Sequence, residues 1–101
     1  MKWVDRSRQA NDASSYESLY AAAQLSVIAD PTVSGTITMN KTKTETTITS
    51  SNFTTAMGNN LPDWDKIKIT STTAAADEEY VITITNGVLA RTDEPADIST
   101  N

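Results

Sequence analysis

The apolar positions divide the chain into two regimes. Residues 2–29 contain no glycine or proline and are rich in Ala, Ser, Gln, Leu and Arg. Asp30-Pro31 ends this stretch, because a proline pushes the residue before it out of helical geometry. The pattern predicts one helix over residues 1–30, about 40 Å long at ~1.5 Å per residue. At 100° per residue, Trp3, Ser7, Ala10, Ser14, Ala21, Leu25 and Ile28 share one stripe, with a gap at Ser18. A second stripe carries Ala13, Tyr16, Leu19, Tyr20, Ala23 and Val27. In the first half, Lys2, Asp5, Arg6, Arg8, Asp12 and Glu17 lie away from the first stripe. Residues 19–29 carry no charge. A small sheet covers one helix face, so the other stripe must meet something else. Either the loops at 31–34 and 71–76 fold over it, or another molecule does.

After Pro31 the period changes to two. Residues 36–39 alternate as a half-buried strand does. Residues 42–49 are threonine-rich around Ile48 and read as a weak edge strand or an ordered loop. Ser51 is placed to cap a short helix with Phe53, Ala56 and Met57 inward, ended by Gly58. Residues 59–64 form a turn anchored by Leu61 and Trp64. Residues 66–70 alternate, lysines out and isoleucines in. Residues 79–85 alternate again with Tyr80, Ile82 and Ile84 on one face. Asn86-Gly87 predicts a type I′ hairpin into 88–91. The expected fold is a single α+β domain: a long N-terminal helix packed on a three- to four-stranded antiparallel sheet. Its expected parts are the helix (1–30), a connecting loop with short strands and a short helix (31–64), the sheet (65–92) and a polar tail (93–101).

Length and composition restrict the chemistry. A chain of 101 residues holds one modest core. Seventeen threonines and ten serines suit solvated sheet faces. With no cysteine and no histidine there is no disulfide, thiolate nucleophile or Ser-His-Asp triad, and none of the usual zinc sites. A net charge of −5 repels a phosphate backbone, so nucleic acid is an unfavoured partner. No stretch reaches the ~20 apolar residues of a membrane span.

A resemblance enters with Met1-Lys2-Trp3-Val4-Asp5-Arg6-Ser7-Arg8-Gln9-Ala10-Asn11-Asp12-Ala13. It resembles the part of bacterial type IV pilins just after their membrane-spanning half-helix: an aromatic, then basic and small residues, ending in Ala-Asn-Asp. The Ala-Asp-Pro exit at 29–31 resembles the end of the same helix. The segment from Ser51-Asn52-Phe53 to Leu61-Pro62-Asp63-Trp64 is similar to pilin-like proteins of Gram-positive anaerobes. The family's leader peptide, its processing site and roughly twenty apolar residues are missing, as are its paired C-terminal cysteines. The resemblance therefore implies a soluble pilin-like domain without the apolar half of its helix.

It further implies a non-catalytic structural subunit of a surface filament serving adhesion or motility. Such a subunit needs no cofactor or metal. Its partners are other copies of itself and the pilus assembly machinery, and its precursor is anchored in the cytoplasmic membrane. The filament-facing residues are then Trp3, Ala10, Leu19, Ala21, Leu25 and Ile28. The alternatives are a pseudopilin of a secretion or competence system, and a small extracellular binding module. The pseudopilin would show a calcium site or a basic tip; the binding module needs an exposed aromatic patch.

Other clusters have plainer explanations. Asp63 with Asp65, Asp77-Glu78-Glu79, and Asp93-Glu94 with Asp97 lack EF-hand spacing and read as solvated carboxylates. As an acid–base pair, Asp63 and Asp65 lack a pocket or third group. Lys2, Arg6 and Arg8 make a basic spot, and Lys41, Lys43, Lys66 and Lys68 would make a strip if their strands were neighbours. Trp3, Tyr16, Tyr20 and Trp64 read as packing residues. Asn40-Lys41-Thr42 and Asn52-Phe53-Thr54 match the N-glycosylation pattern, and by sequence alone both read as the chance matches expected of a threonine-rich chain.

Overall fold

The computed structural model describes residues 2–71, 74 and 77–95, and side chains from Arg8 onward. Helix α1 spans Lys2–Ser26. It is followed by strands β1 (Gly35–Asn40) and β2 (Thr44–Thr46), helix α2 (Ser51–Asn60), a 3-10 turn (Trp64–Lys66), and strands β3 (Glu79–Thr85) and β4 (Val88–Asp93). The strands form one antiparallel sheet in the order β2-β1-β3-β4. The molecule measures 43 × 24 × 22 Å, its long dimension close to the ~37 Å length of α1.

Period-two alternation sets which sheet face meets the helices. Ile37 pairs with Ile82 and Met39 with Tyr80, so their side chains share one face. On that face Ile37, Met39, Ile82 and Ile84 are buried against Tyr16, Leu19, Ala22 and Ala23 of α1 and Phe53 and Met57 of α2. The opposite face carries Thr36, Thr38, Thr83 and Thr92. There Thr36 and Thr47 share a hydrogen bond, as do Thr83 and Thr92.

Several boundaries differ from the sequence reading. The α-helix stops at Ser26, and tighter i→i+3 bonds carry the chain through Ala29 and Asp30 to Pro31. The Ser26 hydroxyl donates to the Ala22 carbonyl at 2.6 Å and accepts from Asn60 Nδ2 at 3.2 Å, tying α1 to α2. Ser50, not Ser51, caps α2, its Oγ accepting from Phe53 N–H at 3.2 Å. Gly58 does not end α2, which continues to Asn60, where Leu61 N–H bonds Met57 O at 2.8 Å.

The sheet is not confined to 65–92. β1, from the segment read as connecting, lies at its centre beside β3. Residues 66–70 do not join the ladder, although Ile69 is buried and Lys68 exposed as the alternation requires. β1 already has β2 and β3 as neighbours, so this segment passes the end of the sheet and meets other partners. Ile69 N–H donates to Asn40 O at 2.8 Å, and Ile67 O accepts from Thr44 Oγ1 at 2.7 Å. The hairpin at Asn86-Gly87 holds, with φ of 49° and 80°, as a type I′ turn needs. At Gly87 a Cβ would collide with the Pro31 carbonyl, so glycine also permits the hairpin to close on the helix exit. The Gly87 N–H donates to Val33 O there, at 2.9 Å. Residues 96–101, and with them most of the expected tail, lie outside the described residues.

Candidate assembly surface on helix α1

The two stripes of α1 have opposite fates. Tyr16, Leu19 and Ala23 of the second stripe are buried, with Ala13, Tyr20 and Val27 half-buried beside them. From the first stripe, Ala10, Ser14, Ala21, Leu25 and Ile28 are exposed. Leu25 is 55% and Ile28 76% exposed, so the 31–34 loop leaves them uncovered. Val88, 70% exposed, joins them at the same end of the molecule, because Gly87 rests on Pro31. Leu19 departs from the expected filament-facing set. It is fully buried in the core, since it lies one turn after Tyr16 on the sheet-facing side. The side chain of Trp3 lies outside the described residues.

The inward face also holds what the sequence reading missed. Asp12 is 1% exposed. Its Oδ1 accepts from Thr70 N–H at 2.8 Å and Thr70 Oγ1 at 2.7 Å, and its Oδ2 accepts from Ser71 N–H at 2.9 Å. A buried carboxylate is tolerated when its lone pairs are filled this way. It fastens the 66–71 segment to α1, and Lys41 Nζ adds a bond to Ser71 O at 3.0 Å. The available signal was spacing: Asp12 precedes Tyr16 by four residues and so shares its face.

Arg91 is the second missed residue. β4 carries it opposite Ile82 on the core side of the sheet. Its guanidinium lies 3.9 Å from the Tyr20 ring centroid and pairs with Glu17. That hydrogen bond raises the Arg91 pKa, keeping the cation in place. Tyr16 stands edge-on to Tyr80 at 6.3 Å and donates to Val81 O at 3.3 Å. Burial pushes the Tyr16 phenol up to about 12. The Arg91 contacts hold the edge strand β4 to α1, and the Tyr16 contacts hold β3 to it.

Among the described residues the remaining candidates are dispersed. Asp63 and Asp65 are exposed, and Asp63 pairs with Lys66 at 3.6 Å. Glu94 lies 3.9 Å from Arg91, and Asp97 falls outside the described residues. Among the described residues no three acidic side chains gather as a metal site. Residues 67–71 run beside 40–44, so the segments carrying Lys41, Lys43 and Lys68 are neighbours. Lys41 donates to Ser71 O, Lys43 pairs with Glu45, Lys66 pairs with Asp63, and Lys68 is exposed. Trp64 and Tyr80 are half-buried against the core, so neither offers an exposed aromatic platform. An open, polar groove of about 500 Å³ lies at the start of α2. On its rim the Ser50 hydroxyl holds the Asp30 carboxyl below its ordinary pKa. Among the described residues no helix is long and apolar enough to cross a membrane.

The outward stripe is thus left uncovered by the described residues. It is charge-free from Ala21 to Ile28, flanked by small residues, and able to receive another helix at close range. Compared with known families, curated proteins and solved structures, the chain matches no family model, no curated protein and no solved structure.

Proposed function

We propose that this chain is a non-catalytic structural subunit of a type IV pilus-like surface filament, assembled through the outward stripe of α1. The carrying observation is that stripe: Ala10, Ser14, Ala21, Leu25 and Ile28 stay exposed on a helix whose other face is fully used. Open filaments join one patch to a different patch on the next copy. A long helix with one face in its own domain and one face free supplies such a contact.

Magnitudes bear on how it would work. Fully burying a Leu, Ile or Val side chain contributes about 1.5–3 kcal/mol. Three partly exposed ones therefore offer roughly 3–6 kcal/mol. Association costs about 4–15 kcal/mol in lost freedom. On this reading the stripe orients and tightens packing, and most of the assembly energy comes from the apolar segment that the pilin resemblance places before this helix. The isolated chain is then expected to be monomeric. The half-buried state of Trp64 and Tyr80 weighs against the binding-module alternative.

The test uses the cysteine-free background. Ser14→Cys and Leu25→Cys are introduced singly and in pairs into the gene of the source organism, and sheared surface material is oxidised. Disulfide-linked ladders of this chain are the expected result. A chain that never reaches the surface fraction, or reaches it without cross-linking at either position, overturns the reading.

A further inference from the structure

The two Asn-X-Thr triplets are equivalent in sequence, and the fold separates them. Asn40 ends β1 and opens the β1–β2 turn, its N–H closing onto Lys43 O at 3.0 Å. Its Oδ1 accepts three hydrogen bonds on the exposed side of that turn. They come from Thr42 N–H at 2.9 Å, Lys43 N–H at 2.9 Å and Thr42 Oγ1 at 2.8 Å. Its Nδ2 has one distant acceptor, Glu45 Oε2 at 3.5 Å. Asn52 sits in the first turn of α2, where the middle residue Phe53 is locked in the core. There the Thr54 hydroxyl donates to Ser50 O at 3.2 Å and Ser51 O at 3.3 Å, away from the Asn52 amide.

The difference is chemical. A carboxamide nitrogen is a poor nucleophile because its lone pair is delocalised into the carbonyl. Donors on Oδ1 stabilise the charge that collects there as Nδ2 loses a proton, and the imidate so formed attacks carbon. At Asn40 the triplet's own hydroxyl and two backbone N–H groups already surround Oδ1, an Asx turn in the acceptor arrangement. At Asn52 the helix has spent that hydroxyl on its own carbonyls.

We propose that Asn40 is an acceptor for an N-linked glycan and that Asn52 in the folded chain is not. The sugar is supplied by a lipid-pyrophosphate-linked donor through an oligosaccharyltransferase. The Nδ2–C1 bond forms as the C1–O bond to the pyrophosphate breaks, its electron pair leaving on the lipid pyrophosphate. The Nδ2 proton passes to a base of the transferase. Nothing is oxidised or reduced. The register pairs Asn40 with Glu79 and Gly35 with Ile84, so Asn40 lies at the opposite end of the sheet from the Gly87–Pro31 contact. A glycan there clears Leu25 and Ile28. The occurrence of the modification in the cell rests on the surface location proposed above; the acceptor geometry does not.

The experiment incubates the purified chain with an oligosaccharyltransferase and its lipid-linked oligosaccharide donor. It reads intact mass and sequenced glycopeptides. The folded chain is expected to gain one glycan, on Asn40, lost in Asn40→Gln and kept in Asn52→Gln. The heat-unfolded chain is expected to be modified at both positions. A folded chain modified at Asn52, or modified nowhere, overturns the proposal. Glycopeptide sequencing of protein recovered from the source cells separates the two readings. Bare Asn40 on surface-exposed chain refutes the glycan and leaves the filament standing. Absence from the surface removes the filament, while the purified-chain result still decides the acceptor.

Discussion

The inward and outward faces of α1 invert the simplest rule of burial. The inward face encloses a carboxylate, Asp12, and a hydroxyl, Ser26, at 1% and 0% exposure, while the outward face leaves Leu25 and Ile28 largely in water. Hydrophobicity alone does not sort these positions; the availability of partners does. Asp12 finds three donors in the chain crossing the end of the sheet. Ser26 finds Ala22 O and Asn60. Leu25 and Ile28 find no such cover among the described residues. These exposed apolar groups are the ones the assembly proposed above would use.

The comparison breaks most sharply at Leu19. Leu19→Ala empties a fully buried site and is expected to cost about 2–5 kcal/mol, read as a lower denaturation midpoint at unchanged slope. A near-neutral result would mean that the inward face is not the core face. Next comes Asp12→Ala, which strands the N–H groups of Thr70 and Ser71. Each orphaned donor costs about 1–3 kcal/mol, and amide exchange at these two residues is expected to accelerate. Unchanged exchange would show that the clamp does not hold the segment.

A pH experiment sharpens the Tyr16 contact. The phenol's pKa is raised from 10.0 to about 12 in the folded chain, chiefly by burial. The folded state therefore holds this proton more tightly than the unfolded state. Stability is whole below pH 10 and declines as pH climbs from 10 through about 12. Tyr16→Phe is expected to flatten that limb of a stability–pH profile, and an unaltered profile would shift the cause to other groups. The smallest expected change in stability belongs to the outward face. Leu25→Asp and Ile28→Asp should leave the melting midpoint within about 0.5 kcal/mol of the parent while abolishing the cross-linked ladder. If either instead unfolds the domain, the stripe is structural and the assembly reading loses its main support.

Much of this was legible from residue order. The two stripes, the alternation at 36–39 and 79–85, and the Asn86-Gly87 turn depend on local periodicity and turn chemistry, which act over a few residues. The same periodicity put 66–70 in the sheet, where it does not belong, because alternation records which side chains face inward and not which backbone groups pair. It also identified two helix faces without saying which one the sheet takes, and so admitted Leu19 to the outward set. Spacing could place Asp12 on the face of Tyr16 but could not name the partners of Asp12 or Arg91. Their partners are 58 residues away for Asp12 with Thr70 and 74 for Arg91 with Glu17, beyond the reach of any spacing rule.

What the sequence by itself determined is therefore the inventory: one helix too amphipathic on two sides for a single small sheet, strands with threonine outward, and no histidine or cysteine to build the usual reactive centres. Only the tertiary structure decided which face of α1 was consumed. It also decided that a charge rather than an apolar side chain fastens the 66–71 segment, and that Asn40 and Asn52 differ. Periodicity is a property of neighbours along the chain. Burial and hydrogen-bond satisfaction belong to residues that meet only when the chain closes on itself.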